Sequence, residues 1–169
     1  MGKHTQRVAL EIIASFGGDE AYVAVKLLHD MYYALAQRKK WAIVEVNIVE
    51  AYVEEGLIHV VWVVSGEKAQ QYLQYESGIH RMIRVPPQDL DQRLHMSFAQ
   101  VNIFSLKEGI TIPENELVIT PEASQEAKIK LEHTPTGIAV RAYRSLGEEI
   151  PRQILAAKLQ QEALTAKKQ

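Results

Sequence analysis

The sequence predicts an α+β fold: a mixed sheet with helices on one face, followed by a small three-stranded sheet and a C-terminal helix. Three observations predict it. Strand-like alternation and helical periodicity succeed one another through residue 106. The stretch 107–115 then turns to Gly, Pro, Thr and Glu, the composition of a connector. Beyond it, three short extended runs precede one long amphipathic pattern. The expected units are 1–106, an α+β domain; 107–115, a connector; and 116–169, a β-β-β-α unit.

Val8 to Phe16 alternates as a strand and stops at Gly17-Gly18. Asp19 and Glu20 then complement the unpaired N–H groups and positive dipole end of a helix start. In the helix that follows, Ala21, Val25, Leu28, Tyr32 and Leu35 repeat at three and four residues, and Arg38 to Lys40 suit its C-terminal end. From Trp41 to Gly66 the chain is β-branched and aromatic, a hairpin turning at Glu54-Glu55-Gly56. A short helix is expected from Glu67, ending at Gly78. Two extended runs, IHRMIRVP and LHMSFAQVNIFSL, follow, separated by PQDLDQR. In the last unit the strands are Leu117 to Thr120, Lys128 to His133 and Ile138 to Tyr143, with HTPTGI as a turn. A helix from about Gly147 to Lys167 carries Ile150, Ile154, Leu155, Ala157, Leu159 and Leu164.

At 169 residues, 47% hydrophobic and 24% charged, the chain can bury a core. It has no cysteine, which excludes disulfides and thiolate chemistry and fits an intracellular setting. No secretory core opens it and no apolar run reaches a membrane span, so it reads as soluble and cytoplasmic, without a membrane partner. The formal net charge of −2 means that nucleic-acid binding would need a local basic surface.

No enzyme motif emerges. The six histidines include no pair at helical zinc spacing and have no cysteine partners, so neither metal nor cofactor is expected. Gly17-Gly18 ahead of a helix could offer N–H groups to a phosphate or base, or be only a turn. The informative region is Glu76 to Gln100. Arg81, Arg84 and Arg93 with His80 and His95 surround Pro86-Pro87, and such a stiff cationic surface can track phosphates and stack on unpaired bases. The alternative is an ordinary hairpin with solvated charges, because Asp89 and Asp91 offset two of the three arginines.

Four motifs in order, GGDEA at 17–21, YESGIHRMIRVP at 75–86, RLHMSF at 93–98 and HTPTGI at 133–138, resemble bacterial class I peptide chain release factors over about residues 8–165. The resemblance implies a domain that reads stop codons in the ribosomal A site, followed by the small domain that in the family hydrolyses peptidyl-tRNA. The family's flanking helical regions find no counterpart here. Its catalytic loop carries Gly-Gly-Gln, whereas the only Gly-Gly here is Gly17-Gly18, no glycine lies between Gly109 and Gly137, and the link PEASQEA is too short. Gln125 in that link lacks the flanking glycines that close approach requires. Residues 105–126 hold one Lys against five Glu, which opposes insertion into ribosomal RNA. Hydrolase activity is therefore expected to be lost.

The codon-reading half departs as well. The family's discriminating tripeptide falls on Pro86-Pro87-Gln88, its usual Thr after the histidine is Met96, and its Gln two residues after the His-Arg pair is Ile83. Met and Ile cannot replace those hydrogen-bonding groups. The resemblance leaves Gly17 and Glu20 as a first-base platform and His95 as a residue that in the family stacks against the codon; in this chain His95 and Gln88 would face bases. Arg81, Arg84 and Arg93 would meet phosphates, although alternation puts Arg81 and Arg84 on opposite sides of an ideal strand. The expected protein is a catalytically inactive, ribosome- or mRNA-binding relative that modulates translation. An RNA-binding factor acting off the ribosome and a protein-interaction module remain as alternatives.

Overall fold

The computed structural model describes residues 6–53, 55–123 and 127–168. Strand β1 (Gln6–Ala14) leads into α1 (Asp19–Lys39), then β2 (Ala42–Glu50), β3 (Leu57–Gly66), α2 (Ala69–Leu73), β4 (Gly78–Arg84) and β5 (His95–Ser105). These strands form one sheet in the order β2-β3-β1-β5-β4. A second sheet, β6 (Leu117–Pro121), β7 (Lys128–His133) and β8 (Ile138–Tyr143), has the order β6-β7-β8 and is followed by α3 (Glu149–Ala166).

The large sheet is antiparallel at every pairing, not mixed. The reason is topological. The crossover through α1 carries the chain back so that β2 runs parallel to β1, but β3 inserts between them and pairs with both. Helix α1 begins with Asp19 and Glu20, ends with Arg38 and Lys39, and buries Ala21, Ala24, Val25, Tyr32 and Ala36. Lys40 closes it in the left-handed region, its N–H reaching the Ala36 and Gln37 carbonyls. The hairpin turn falls as expected, although Glu54 lies outside the described residues. Helix α2 is shorter than predicted: only Ala69 and Leu73 reach the core, and Gly78 opens β4 by pairing with Val101.

Two apolar clusters sandwich the large sheet. On one face, Val8, Leu10, Ile12, Trp62 and Val101 pack against Val25 and Tyr32 of α1 and Leu73 of α2. On the other, Ala9, Val46, Val61, Val63 and Phe104 meet Leu131, Val140 and Ala142 of the small sheet and Ile154 and Leu155 of α3. Helices therefore cover one face, and the small sheet with α3 covers part of the other. Leu164 is not part of the buried stripe of α3 but is 62% exposed, because the buried positions end at Ala157.

A polar cluster pins α3 to the sheet. The Glu11 side chain, buried in β1, accepts hydrogen bonds from Lys158 Nζ at 2.7 Å, His59 Nε2 at 3.0 Å and Asn102 Nδ2 at 3.0 Å. Asn47 Nδ2 lies 3.3 Å from His59 Nδ1, so its amide donates there and leaves the imidazole hydrogen on Nε2 for Glu11. In the small unit the HTPTGI turn closes as expected: Gly137, at φ 72°, donates its N–H to the His133 carbonyl at 2.8 Å. His133 is held by Thr136 Oγ1 at 2.9 Å and Glu116 Oε2 at 3.1 Å.

Candidate nucleic-acid interface

The start of α1 is laid directly on β5. Phe98 N–H donates to the Phe16 carbonyl at 2.7 Å and Ser15 N–H to the Phe98 carbonyl at 3.0 Å. Gly17, at φ 122°, then passes so close that a Cβ placed on it would lie 2.6 Å from Ser97 Cβ. Gly18 caps the helix at φ 59°, ψ −140°, with open space where its side chain would be. Glycine is required at the first position by contact and at the second by conformation alone.

Opposite this helix start stands the loop 85–94, built around Asp89. The Asp89 N–H donates to the Pro86 carbonyl at 3.0 Å, and Gln92 N–H to the Asp89 carbonyl at 3.1 Å. Its carboxylate accepts from the Asp91 N–H at 2.9 Å, Arg93 Nε at 3.3 Å and His95 Nε2 at 2.7 Å. The His95 hydrogen bond above all holds the Asp89 carboxyl below its usual range. Between loop and helix lies a cleft of about 670 Å³, lined by Gly17, Asp19, Glu20, Val23 and Val53 on one side and by Pro86, Gln88, Asp89, Leu90, Asp91, Arg93 and His95 on the other.

The structure thus brings together Gly17, Glu20, Pro86, Gln88, Arg93 and His95. Gly18 sits at the helix cap beside them, and Pro87 belongs to the loop without lining the cleft. The arginines do not form one patch. Arg84 stands on the α1 side of β4, bound by Glu20 through Nε at 2.5 Å and a second nitrogen at 2.9 Å. Arg81 alternates to the other face with Ile79 and Ile83, all three exposed. Only Arg93, with 69% of its side chain exposed, brings a guanidinium to the cleft, and Asp89 and Asp91 flank it. Carboxylates from Asp19, Glu20, Asp89 and Asp91 outnumber the cations there.

Sequence reasoning missed Asp89 as an organiser and Asp19, Val23, Val53, Leu90 and Asp91 as lining. The spacing of Asp89, four residues before Arg93 and six before His95, was the available signal. Gln125 lies outside the described residues. Ile83 and Met96 pair directly in register and are 49% and 56% exposed, an apolar step on the sheet face away from α1. Among the described residues no group of three His, Asp or Glu side chains could hold a metal ion, and no helix is long and apolar enough to cross a membrane.

The two-sheet fold, with a helix start facing a Pro-Pro loop, is that of a release factor. The PCRF domain family matches residues 2–101, and the chain belongs to it as a member of the class I peptide chain release factor family. Its relatives include peptide chain release factor 1 of Caldicellulosiruptor saccharolyticus, 31% identical over 147 residues, covering 80% of this chain and 41% of that protein. Peptide chain release factor 2 of Thermotoga maritima is 33% identical over 171 residues, covering 90% of this chain and 46% of that protein. RF2 of Thermus thermophilus superposes with a TM-score of 0.88 at 25% identity, over 99% of this chain and 53% of that one. The chain therefore spans about half the length of the proteins it matches.

Proposed function

We propose that the chain binds single-stranded RNA in the decoding region of the ribosome through the cleft between α1 and the loop 85–94, and modulates translation there without releasing peptide. The observation that carries this reading is the convergence of Gly17, Glu20, Gln88, Arg93 and His95 on one cleft in a chain of release-factor fold. The acidic balance of that cleft suits the N–H edges of bases better than phosphates. Binding should therefore weaken only modestly with salt, since each phosphate neutralised on a single strand contributes a slope of roughly −0.7.

Co-sedimentation with ribosomes across a salt series tests the reading. The wild type should pellet, an Arg93→Ala, His95→Ala double variant should not, and Arg81→Ala, on the far face of β4, should behave as wild type. Absence of the wild type from the pellet at every salt concentration sinks it.

Loss of hydrolysis rests on two sequence facts: the chain holds no Gly-Gly-Gln, and six residues, 122–127, link β6 to β7. Removing even one oxyanion donor from a hydrolytic site typically costs about 10²–10³ in rate. Peptide release from programmed ribosomes should stay at the uncatalysed background, and release above background would refute the inactive reading. The exposed Ile79, Ile83 and Met96 favour a second reading, in which that sheet face meets a protein. Association that ignores salt and survives the double variant would favour it.

A further inference from the structure

His95 enters the cleft with one ring nitrogen committed. Nε2 stands 2.7 Å from the Asp89 carboxylate, and no hydrogen bond from the described residues reaches Nδ1. A carboxylate only accepts, so Nε2 carries the hydrogen and the neutral ring keeps a lone pair on Nδ1. Asp89 is fixed for this task. Its side chain is 7% exposed against 42% for His95, and it also receives the Asp91 N–H and Arg93 Nε.

We propose that Asp89 sets the tautomer of His95 and thereby makes the cleft selective for a nucleobase edge that presents an N–H donor. The inference deepens the RNA-binding reading above and rests on it. Asp89 is a positioning residue and His95 makes the contact. The surroundings point the same way. From α1, Asp19 adds an acceptor, one of its oxygens taking the Tyr52 hydroxyl, while both oxygens of Glu20 are engaged by Arg84; from the loop, Asp91 adds another acceptor, and Arg93 is drawn toward Asp89 and Asp91. Arg84, the register partner of His95 on β4, is occupied by Glu20. At His95 Nδ1 an exocyclic amino group finds an acceptor, whereas a carbonyl oxygen in that position would meet a lone pair.

Two readouts on the full chain test this. The ¹⁵N spectrum of the free protein should show His95 as the Nε2–H tautomer at neutral pH, and Asp89→Asn, which keeps an acceptor for the Asp91 N–H, should raise the Nδ1–H form. Oligoadenosine should bind about tenfold more tightly than the same oligomer built from purine riboside, which lacks the amino group, a difference within the range of one good base-edge contact. That ratio should fall toward one in Asp89→Asn. A wild-type ring in the Nδ1–H form or an even mixture overturns the inference, as does equal or absent binding of the two oligomers at neutral pH. The ring spectrum needs no ribosome, so failure to pellet would sink the ribosomal reading and leave the tautomer result standing.

Discussion

Gly17→Ala is expected to lower stability by about 3 kcal/mol, the sum of a strained backbone and a forced contact. The added Cβ would lie 2.6 Å from Ser97 Cβ and 2.7 Å from its Cα, and the backbone there sits at φ 122°. Ser97 is 1% exposed, so β5 has nowhere to retreat without parting from β1 and β4. Gly18→Ala is the control. It meets no atom within 4 Å, so only conformational strain remains, about 1–2 kcal/mol. Urea unfolding of the two variants separates contact from conformation, and equal losses would contradict the close approach of α1 to β5.

The second large effect is expected at the opposite face of the sheet. Lys158→Met should cost about 3 kcal/mol, because it leaves the Glu11 carboxylate buried with its principal cation gone. Burial alone would raise the Glu11 pKa. The His59 hydrogen bond and the charge and hydrogen bond of Lys158 outweigh it and bring the carboxyl from 4.5 to about 2. A folded-state value below the unfolded one means stability that is fully present above about pH 4.5 and lost as pH falls toward 2. That shift corresponds to about 3 kcal/mol, at roughly 1.4 kcal/mol per unit. Glu11→Gln should accordingly flatten the acid limb of the stability curve between those pH values. An unchanged limb would show that the cluster does not couple α3 to the sheet.

Much of this architecture is legible in the sequence. The three strands of the small sheet fall at the expected residues, apart from Pro121 added to β6, because alternation there is bounded by Pro, Thr and Gly. Helix α1 follows from its acidic start, basic end and spaced apolar face. Pairing order is not legible: nothing local says that β3 inserts between β1 and β2, and this decides antiparallel against mixed. Helix α2 is shorter than the span from Glu67 to Gly78 that its terminating glycine suggests, because only Ala69 and Leu73 are buried while Tyr72 and Tyr75 are exposed.

The site was legible in part for a similar reason. Glycines, prolines and cations stand out in a sequence, and Gly17, Pro86, Arg93 and His95, read from it, line one cleft. Asp89 reads along the chain as a charge that offsets an arginine. In three dimensions it is the acceptor around which the loop closes. The separation of Arg81 from Arg84 follows from strand alternation, and the engagement of Arg84 by Glu20 spans 64 residues that no local pattern connects.

The central claim, occupancy of the decoding region without hydrolysis, is tested most directly by competition. Purified chain would be added in increasing amounts to ribosomes stalled at a stop codon, with peptide release driven by a full-length release factor. The account predicts that release slows as the chain is added, that excess release factor restores it, that the chain alone releases nothing, and that the Arg93→Ala, His95→Ala variant does not inhibit. Release that proceeds at the same rate at every concentration of the chain would contradict it.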